Sequence, residues 1–263
     1  MSELALKDFD ILSDAEKAEA LALLKKYGQL EKQDECQGDF INFVKHMWPE
    51  FVEGRHHKII GEKFNRIAQG KLKRLIVCLP PRHTKSEFAS TYFPAWMMGL
   101  RGNLKIIQTT HTAELAVRFG RRVRNIIDSE DYQEVFPKLK LQADNKSAGR
   151  WTTNEGGESF YSGVGGAMDS VYEWYTSGPR QRLQPGGIIV IVMTRWSTKD
   201  LVGKVIKHQN QDHADQWEMI EFPAIMPETE EPLWPEYWKK EELLSVKASL
   251  PVAKWNSQWM QNP

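Results

Sequence analysis

Two neighbouring side chains, Lys85 and Ser86, have the chemistry to hold a phosphate group and its metal ion. A lysine supplies a cation for phosphate oxygens, and a serine hydroxyl can bind Mg²⁺. They follow the apolar run Leu75 to Leu79, which is typical of a buried strand, and a helical pattern begins after them. Such a strand-loop-helix junction favours an anion, because its backbone N–H groups and the helix dipole both point at the loop.

The loop departs from the usual phosphate-loop pattern, G-x-x-x-x-G-K-[ST]. Leu79 and Thr84 stand at the two glycine positions, and a β-branched Thr is poor wherever φ must be positive. Pro80 and Pro81 end the strand, because proline cannot continue a ladder. The residues alone leave two interpretations open: a phosphate-binding loop, or an ordinary strand-to-helix turn with a surface lysine.

Six segments together resemble the large terminase subunit of tailed bacteriophages, the motor that packages viral DNA. They are Gly54-Arg-His-His57, Leu79-Pro-Pro-Arg-His-Thr-Lys-Ser86, Tyr172-Glu-Trp-Tyr175, Arg182-Leu-Gln-Pro185, Val192-Met-Thr-Arg-Trp196 and Asn256-Ser-Gln-Trp-Met-Gln-Asn-Pro263. They run in family order and cover residues 38–263. The resemblance implies an α/β fold of the P-loop NTPase (ASCE/RecA-like) type, with a mostly parallel sheet flanked by helices. An N-terminal helical arm (1–35) would precede the ATPase domain (36–263), and the family's C-terminal nuclease domain would be absent.

The resemblance further implies an ATPase that uses ATP and Mg²⁺. Copies of the chain would form a ring, a pentamer by resemblance, on the portal protein of a procapsid in the host cell cytoplasm. With a small terminase subunit as partner, the ring would drive double-stranded DNA into the procapsid. A helicase-like translocase is an alternative, but helicases usually carry a second motor lobe, and no second phosphate-type sheet fits in this length.

Roles for individual residues follow from the same resemblance. Arg82 and Lys85 would neutralise phosphate charge, and Ser86 would hold Mg²⁺. Thr194, at the end of a later strand, would couple hydrolysis to movement. Arg195 beside it has two interpretations, contact with phosphate or pairing with an acid. The loop residues expected to bind ATP are Pro81, Arg82, His83, Thr84, Lys85 and Ser86.

The stretch before the loop contains side chains suited to an adenine ring, which motors of this type hold there. An aromatic ring can stack on the base, and a polar group can read its edge. The candidates are Trp48, Phe51, His56 and His57. The alternative is that the two aromatic residues belong to the core and the two histidines are exposed. No Cys/His spacing in this stretch matches a zinc site.

Four arginines, Arg118, Arg121, Arg122 and Arg124, cluster on a helix expected from about Thr112 to Asp128. A charge run of this kind is usually a solvated face with salt bridges. Under the resemblance, a ring needs an arginine that reaches the neighbouring subunit's ATP and steadies charge in the transition state. Arg121 and Arg122 are the candidates for that role.

One family segment is missing from the sequence. Terminases continue from the position of Gly163 into an apolar strand that ends in adjacent carboxylates, the Walker B segment, whereas this chain passes directly to Met168 and the next helix. Asp169 fits a helix N-cap and receives no catalytic role. Either the segment is truly lacking, and hydrolysis is impaired, or the sequence is closed up over residues not present in it. A nucleotide-binding but non-hydrolysing assembly module is therefore a further alternative.

Composition sets limits on these interpretations. The 35 basic and 35 acidic residues give zero net charge, so a DNA contact must be local. Cys36 and Cys78 do not make a disulfide framework and fit a reducing cytosol. We expect no signal peptide and no membrane, because no apolar run is long enough to span one.

Patterns elsewhere predict further elements. Ser13 and Glu16 form a capping box for an amphipathic helix with an expected stop at Gly28, which either packs on its own domain or docks on a neighbouring subunit or partner. A hairpin is expected across 154–157, a buried parallel strand over 188–192 and an exposed loop over 223–236. Three C-terminal aromatic residues, Trp238, Trp255 and Trp259, fit packing better than stacking on DNA.

Overall fold

A computed structural model of the chain describes residues 13–147, 149–165 and 168–263. The helices are α1 (Asp14–Gly38), α2 (Phe40–Met47), α3 (Arg55–Ala68), α4 (Lys85–Glu87), α5 (Phe93–Leu100), α6 (Ala113–Ile127), α7 (Glu130–Val135), α8 (Met168–Ser177), α9 (Leu201–His208), α10 (Lys240–Ser249) and α11 (Val252–Lys254). The strands are β1 (Arg74–Cys78), β2 (Lys105–Thr110), β3 (Leu141–Ser147), β4 (Arg150–Thr153), β5 (Glu158–Gly163), β6 (Ile189–Met193) and β7 (Glu218–Glu221). A π-helical turn (Phe88–Tyr92) joins α4 to α5, a second (Trp255–Trp259) follows α11, and a 3₁₀ turn (Pro179–Arg182) follows α8.

Strand β1 lies in the middle of a parallel sheet with the order β6-β1-β7. Its residues pair in register with β6 from Arg74 opposite Ile189 to Cys78 opposite Met193, and with β7 on the other side. Alternate residues of β1 point to opposite faces. Ile76 and Cys78 pack toward α9, while the residues between them join the main core with α2 and α3. Helices therefore cover both faces, as a buried parallel sheet requires.

A second, mixed sheet has the order β2-β5-β4-β3. β2 runs parallel to β5, while β4 is antiparallel to both β5 and β3. The hairpin expected across 154–157 is confirmed as the β4–β5 connection, whereas β3 was not predicted. The expected mostly parallel sheet is thus two smaller sheets, of which one is wholly parallel and the other mixed. The structure establishes an α/β fold with parallel-containing sheets flanked by helices.

Helix α1 begins where the sequence predicts, but it ends ten residues beyond the expected stop at Gly28. Both capping-box hydrogen bonds form between Ser13 and Glu16. The stop expected at Gly28 is wrong: the helix continues to Gly38, across the proposed boundary at residue 35. A glycine inside a helix costs only about 1 kcal/mol, and the far end is held against α7, where the Gln37 amide donates to the Val135 carbonyl at 2.6 Å.

The two halves of α1 have different surroundings. The end near α7 packs on the chain's own domain, as one interpretation expected. Farther toward the N-terminus the large apolar side chains are exposed: Leu21, Leu23, Leu24, Tyr27 and Leu30. None of the described helices is long and apolar enough to cross a membrane.

The missing segment falls at a junction that the structure leaves out. The described residues resume at Met168, so residues 166–167, where an extra segment would be inserted, lie outside the described residues. The side chain of Asp169, expected as an N-cap, lies outside them too. The helix that follows this junction, α8, ends at Ser177, because Gly178 and Pro179 interrupt it and a 3₁₀ turn follows.

The main core is centred on Phe40, which is fully buried. Its ring makes edge contacts with four other aromatic rings at centroid distances of 5.0 to 6.0 Å. Those rings come from α3, α5 and the π-helical turn after α4: Phe64, Phe88, Phe93 and Trp96. Phe40 therefore joins the helices that follow β1 to those that precede it.

Replacing Phe40 with alanine should lower the free energy of unfolding by about 3–5 kcal/mol, the usual cost of an empty aromatic site in a core. Urea denaturation followed by circular dichroism measures the change. Val252→Ala, at a side chain that is 76% exposed, is the control and should stay within about 0.5 kcal/mol of the wild type. Equal losses in the two variants would contradict the central place given to Phe40.

Candidate functional site

The segment of residues 79–86, which comprises the loop after β1 and the first two residues of α4, lies at the carboxyl end of the parallel sheet, where α/β proteins place ligands. We refer to it as the β1–α4 loop. Arg82 and Thr84 both have φ of 57° and so adopt the left-handed conformation. Thr84 occupies a glycine position of the usual pattern, and its backbone takes the conformation that a glycine would supply. Thr84 therefore holds a strained conformation that a glycine would adopt without steric cost.

The backbone of the β1–α4 loop presents free hydrogen-bond donors. Within the part of the chain that the structure describes, the N–H groups of Arg82, His83, Thr84 and Lys85 donate no hydrogen bond. N–H groups at the start of a helix have no partner within it and can donate to an anion or to water. A phosphate-binding loop and an ordinary strand-to-helix turn share this arrangement, so phosphate binding stays a prediction.

A chain of hydrogen bonds holds Thr84 in its strained conformation. The Gly54 N–H donates to His57 Nδ1 at 2.8 Å, so the proton of that ring is on Nε2. His57 Nε2 donates to Thr84 Oγ1 at 2.6 Å, and the Thr84 hydroxyl donates to the His83 carbonyl at 2.7 Å. The segment before β1 therefore acts on the loop through a neutral histidine.

His56, His57 and His83 are all fully buried behind the loop, so the alternative in which the first two are exposed is wrong. Burial lowers the pKa of His56 to about 3, of His57 to about 2 and of His83 to about 4, because a charged imidazole loses its hydration there. The neighbouring histidine rings add repulsion to the first two. His83 Nδ1 donates to the Pro81 carbonyl at 2.8 Å.

Lys85 folds back over the loop. Its Nζ donates to the Pro80 carbonyl at 3.0 Å, and burial lowers its pKa to about 8, because the ammonium group loses hydration. The side chains of Arg82 and Ser86 are exposed, and Pro81 is half-buried. The structure thus brings a poorly hydrated cation, an exposed guanidinium and an exposed hydroxyl to one short loop, all suited to phosphate and a hydrated cation.

The tip of β6 lies beside the start of the loop, as the parallel pairing with β1 requires. The Thr194 hydroxyl donates to the Leu79 carbonyl at 2.9 Å, so this residue touches the loop directly. Of the two interpretations of Arg195, the structure supports pairing with acids. Its Nε lies 3.0 Å from Asp200 Oδ2 and its Nη1 lies 3.0 Å from Glu221 Oε1.

Trp48 and Phe51 form part of an aromatic group next to the loop. The Trp48 ring stacks on Tyr92 at 5.9 Å, and Phe51 packs on His57 at 4.8 Å and on Phe88 at 5.4 Å. Both side chains are half-buried against the core. Packing accounts for their positions, and contact with an adenine stays a prediction for them and for His56 and His57.

The two candidate arginines on α6 have different surroundings. Arg122 makes a two-pronged ion pair with Glu87 of α4, at 2.8 and 2.7 Å. Arg121 is exposed and forms no ion pair within the described ranges. Arg122 is therefore engaged in its own chain, whereas Arg121 is available to a second molecule.

Sequence reasoning missed the C-terminal residues that enclose the loop. The region over 223–236 was expected to be an exposed loop, yet Leu233 and Trp234 within it are buried. Trp234 packs on His56 at 5.4 Å and on His57 at 4.9 Å. The signal was present as three aromatic residues within 234–238, in an otherwise polar stretch. Trp255 and Trp259 are buried, in keeping with the expected packing role.

Comparison with known proteins gives no relative for this chain: no family model matches it, and no curated protein does. Within the described residues no group of three His, Cys, Asp or Glu side chains is placed to hold a metal ion. The donor for Mg²⁺ that the loop offers is thus the Ser86 hydroxyl, which would act together with phosphate oxygens and water.

The buried histidines make stability depend on pH. Their folded pKa values of about 2 to 4 lie below the unfolded value of about 6.5, so the unfolded state binds more protons between those limits. Stability is therefore complete above about pH 6.5 and falls as the pH is lowered, by about 2 kcal/mol per histidine at pH 5. Urea denaturation at pH 7 and at pH 5 measures the loss.

His56→Phe provides the matched variant, because neither His56 ring nitrogen has a hydrogen-bond partner of normal geometry among the described residues. The substitution removes one titrating ring and keeps an aromatic side chain in place. It should reduce the stability lost between pH 7 and pH 5 by about a third. An unchanged dependence on pH would mean that His56 is not a source of it.

Proposed function

We propose that the protein binds the triphosphate of ATP at the β1–α4 loop and serves as the ATPase motor domain of a viral terminase large subunit. The observation that carries the proposal is the run of free backbone N–H groups from Arg82 to Lys85, with the Lys85 cation beside them. A triphosphate supplies the acceptors that these donors lack. The order of the terminase-like segments along the chain supports the choice of family.

Each loop residue has a distinct part in this proposal. The backbone from Arg82 to Lys85 would hold phosphate oxygens, and the ammonium group of Lys85 would leave the Pro80 carbonyl for them. Mg²⁺, when bound, withdraws charge from the phosphates, and Ser86 would contribute its hydroxyl to that ion. Thr194, already bonded to the Leu79 carbonyl, is placed to respond when the loop moves.

The motor proposal includes partners that extend beyond the loop. Copies of the chain would assemble as a ring on the portal protein, with the small terminase subunit, and act on double-stranded DNA at the procapsid. Arg121 supports an arrangement of this kind, because it is exposed on α6 and free to reach another subunit. With zero net charge, the chain would contact DNA through a local patch.

A second candidate function is nucleotide binding without hydrolysis. It is favoured by one observation: three carboxylates among the described residues are engaged in ion pairs, Glu87 with Arg122 and both Asp200 and Glu221 with Arg195. A carboxylate that orients the attacking water is needed for fast turnover. Binding of ATP without turnover supports this candidate, whereas turnover stimulated by DNA supports the motor.

Lys85→Ala should weaken ATP binding at least tenfold, because it removes the cation from the phosphate site, and one charge-assisted hydrogen bond is worth about 1.5–3 kcal/mol. Calorimetric titration with ATP and Mg²⁺ measures the affinity. Lys58→Ala, at a side chain that is 72% exposed, is the control and should bind as the wild type does. Equal affinities for the wild type and Lys85→Ala would remove the loop from the proposal.

Arg121→Ala should lower ATPase activity when mixed with wild-type subunits, because each altered subunit leaves a neighbour's ATP without its arginine. The loss should grow faster than the fraction of altered subunits. Arg122→Ala should act within its own chain by releasing Glu87, and its effect should follow that fraction linearly. A linear dependence for Arg121→Ala would show that another residue supplies the charge.

A further inference from the structure

The last turn of the chain reaches the candidate site from outside it. Gln261 is only 3% exposed and has φ of 57°, the third left-handed side-chain-bearing residue in this region after Arg82 and Thr84. Such strain persists only where surrounding contacts enforce it. The contacts of Gln261 and its neighbours therefore indicate which interactions enforce its left-handed conformation.

One contact joins Gln261 to the tip of β6. Its side-chain Oε1 accepts a hydrogen bond from the Arg195 N–H at 3.0 Å, in a buried setting. The residue before Arg195 is Thr194, whose hydroxyl donates to the Leu79 carbonyl. Three residues thus connect the end of the chain to the first residue of the β1–α4 loop.

A second contact joins the same turn to the middle of the loop. The His83 ring stacks on Trp238 at 6.1 Å and meets Trp259 edge-on at 6.4 Å, and these two tryptophan rings pack on each other at 6.0 Å. The Trp259 carbonyl accepts a hydrogen bond from the Ala224 N–H at 2.7 Å, which anchors the turn beyond β7. The loop is therefore held at its start and its middle by one C-terminal turn.

We propose that Gln261 is a positioning residue for the candidate phosphate site. Its side-chain oxygen holds the tip of β6 at the distance that keeps Thr194 on the loop, while Trp259 in the same turn holds His83. An effect of Gln261 on catalysis rests on the proposed function. Its effect on the geometry of the β1–α4 loop does not depend on that function. The family resemblance assigns no role to this residue.

Glutamine suits this position because its amide has an acceptor and a donor. The acceptor takes the Arg195 N–H, and the donor bonds to the Gln258 carbonyl, so the side chain is fixed from both ends. Alanine would leave the Arg195 N–H buried and unpaired, which costs about 1–3 kcal/mol. Glutamate keeps the acceptor for Arg195 and loses the donor to Gln258, so it retains the link that the proposal requires.

The test measures how well the loop shields Lys85, because that amine is held on the Pro80 carbonyl only while the loop keeps its shape. The wild type, Gln261→Ala and Gln261→Glu are treated with the N-hydroxysuccinimide ester of acetic acid at pH 8. The rate of acetylation at Lys85 is read by peptide mass spectrometry against that at exposed Lys58. Asn262→Ala, at an exposed neighbouring side chain, is the control.

Gln261→Ala should raise the acetylation rate of Lys85 about tenfold, the shift expected from losing one buried hydrogen bond. Gln261→Glu and Asn262→Ala should stay within about twofold of the wild type. ATPase turnover should fall in Gln261→Ala with a smaller change in ATP affinity, since the loop residues themselves are intact. The melting temperature of each variant shows whether it is folded. Loss of the fold would raise acetylation at every lysine, whereas loss of positioning would raise it at Lys85.

Unchanged acetylation of Lys85 in a folded Gln261→Ala variant overturns the positioning role. A wild type that neither binds nor hydrolyses ATP overturns the proposed function instead, and the acetylation result still decides the role of Gln261. Raised acetylation in both Gln261 variants would also overturn the proposal, because it would show that the acceptor for Arg195 is not the group that matters.

Discussion

The hydrogen bond from His57 to Thr84 is the contact on which the candidate site depends. A threonine in the left-handed conformation costs about 1–2 kcal/mol, and the hydrogen bonds on its hydroxyl offset a similar amount. His57 can donate only because the Gly54 N–H occupies its other nitrogen. Gly54 in turn must lack a side chain, since a Cβ there would lie 2.6 Å from Trp234. The absence of a side chain at Gly54 therefore allows the hydrogen bonds that hold Thr84 in its left-handed conformation.

Much of the local structure followed from sequence patterns. The β1 strand, the β4–β5 hairpin and the capping box at Ser13 are visible in the residues, because each depends on neighbours close in the chain. The division into two sheets was not visible, because pairing between strands far apart in the chain leaves no mark on the local pattern of either strand. The length of α1 was misjudged for a related reason: its last turns are stabilised by contacts with α7, about a hundred residues away.

The candidate site was predicted in the same uneven way. Lys85, Ser86 and Thr194 were identified from spacing and resemblance, and the structure brings Thr194 to the start of the loop. The burial of His56 and His57 was missed, because histidine patterns do not reveal that Trp234 and Trp238 close over the loop from the far end of the chain. Gln261 lies in one of the six segments of the resemblance but received no role there, since its hydrogen bond with the Arg195 N–H is visible only in the folded chain.

Helix α1 has a practical consequence for watching the molecule at work. At about 1.5 Å per residue, the exposed part from Asp14 to Lys32 is roughly 28 Å long. The C-terminal part of α1 is held on α7, where Lys32 pairs with Glu134 and the Gln33 amide donates to the Glu134 carbonyl. A fluorophore attached near Ser13 would therefore convert a tilt of α1 into a displacement of the dye. Tilting of the helix by ten degrees would displace the dye by about 5 Å, within the reach of single-molecule energy transfer.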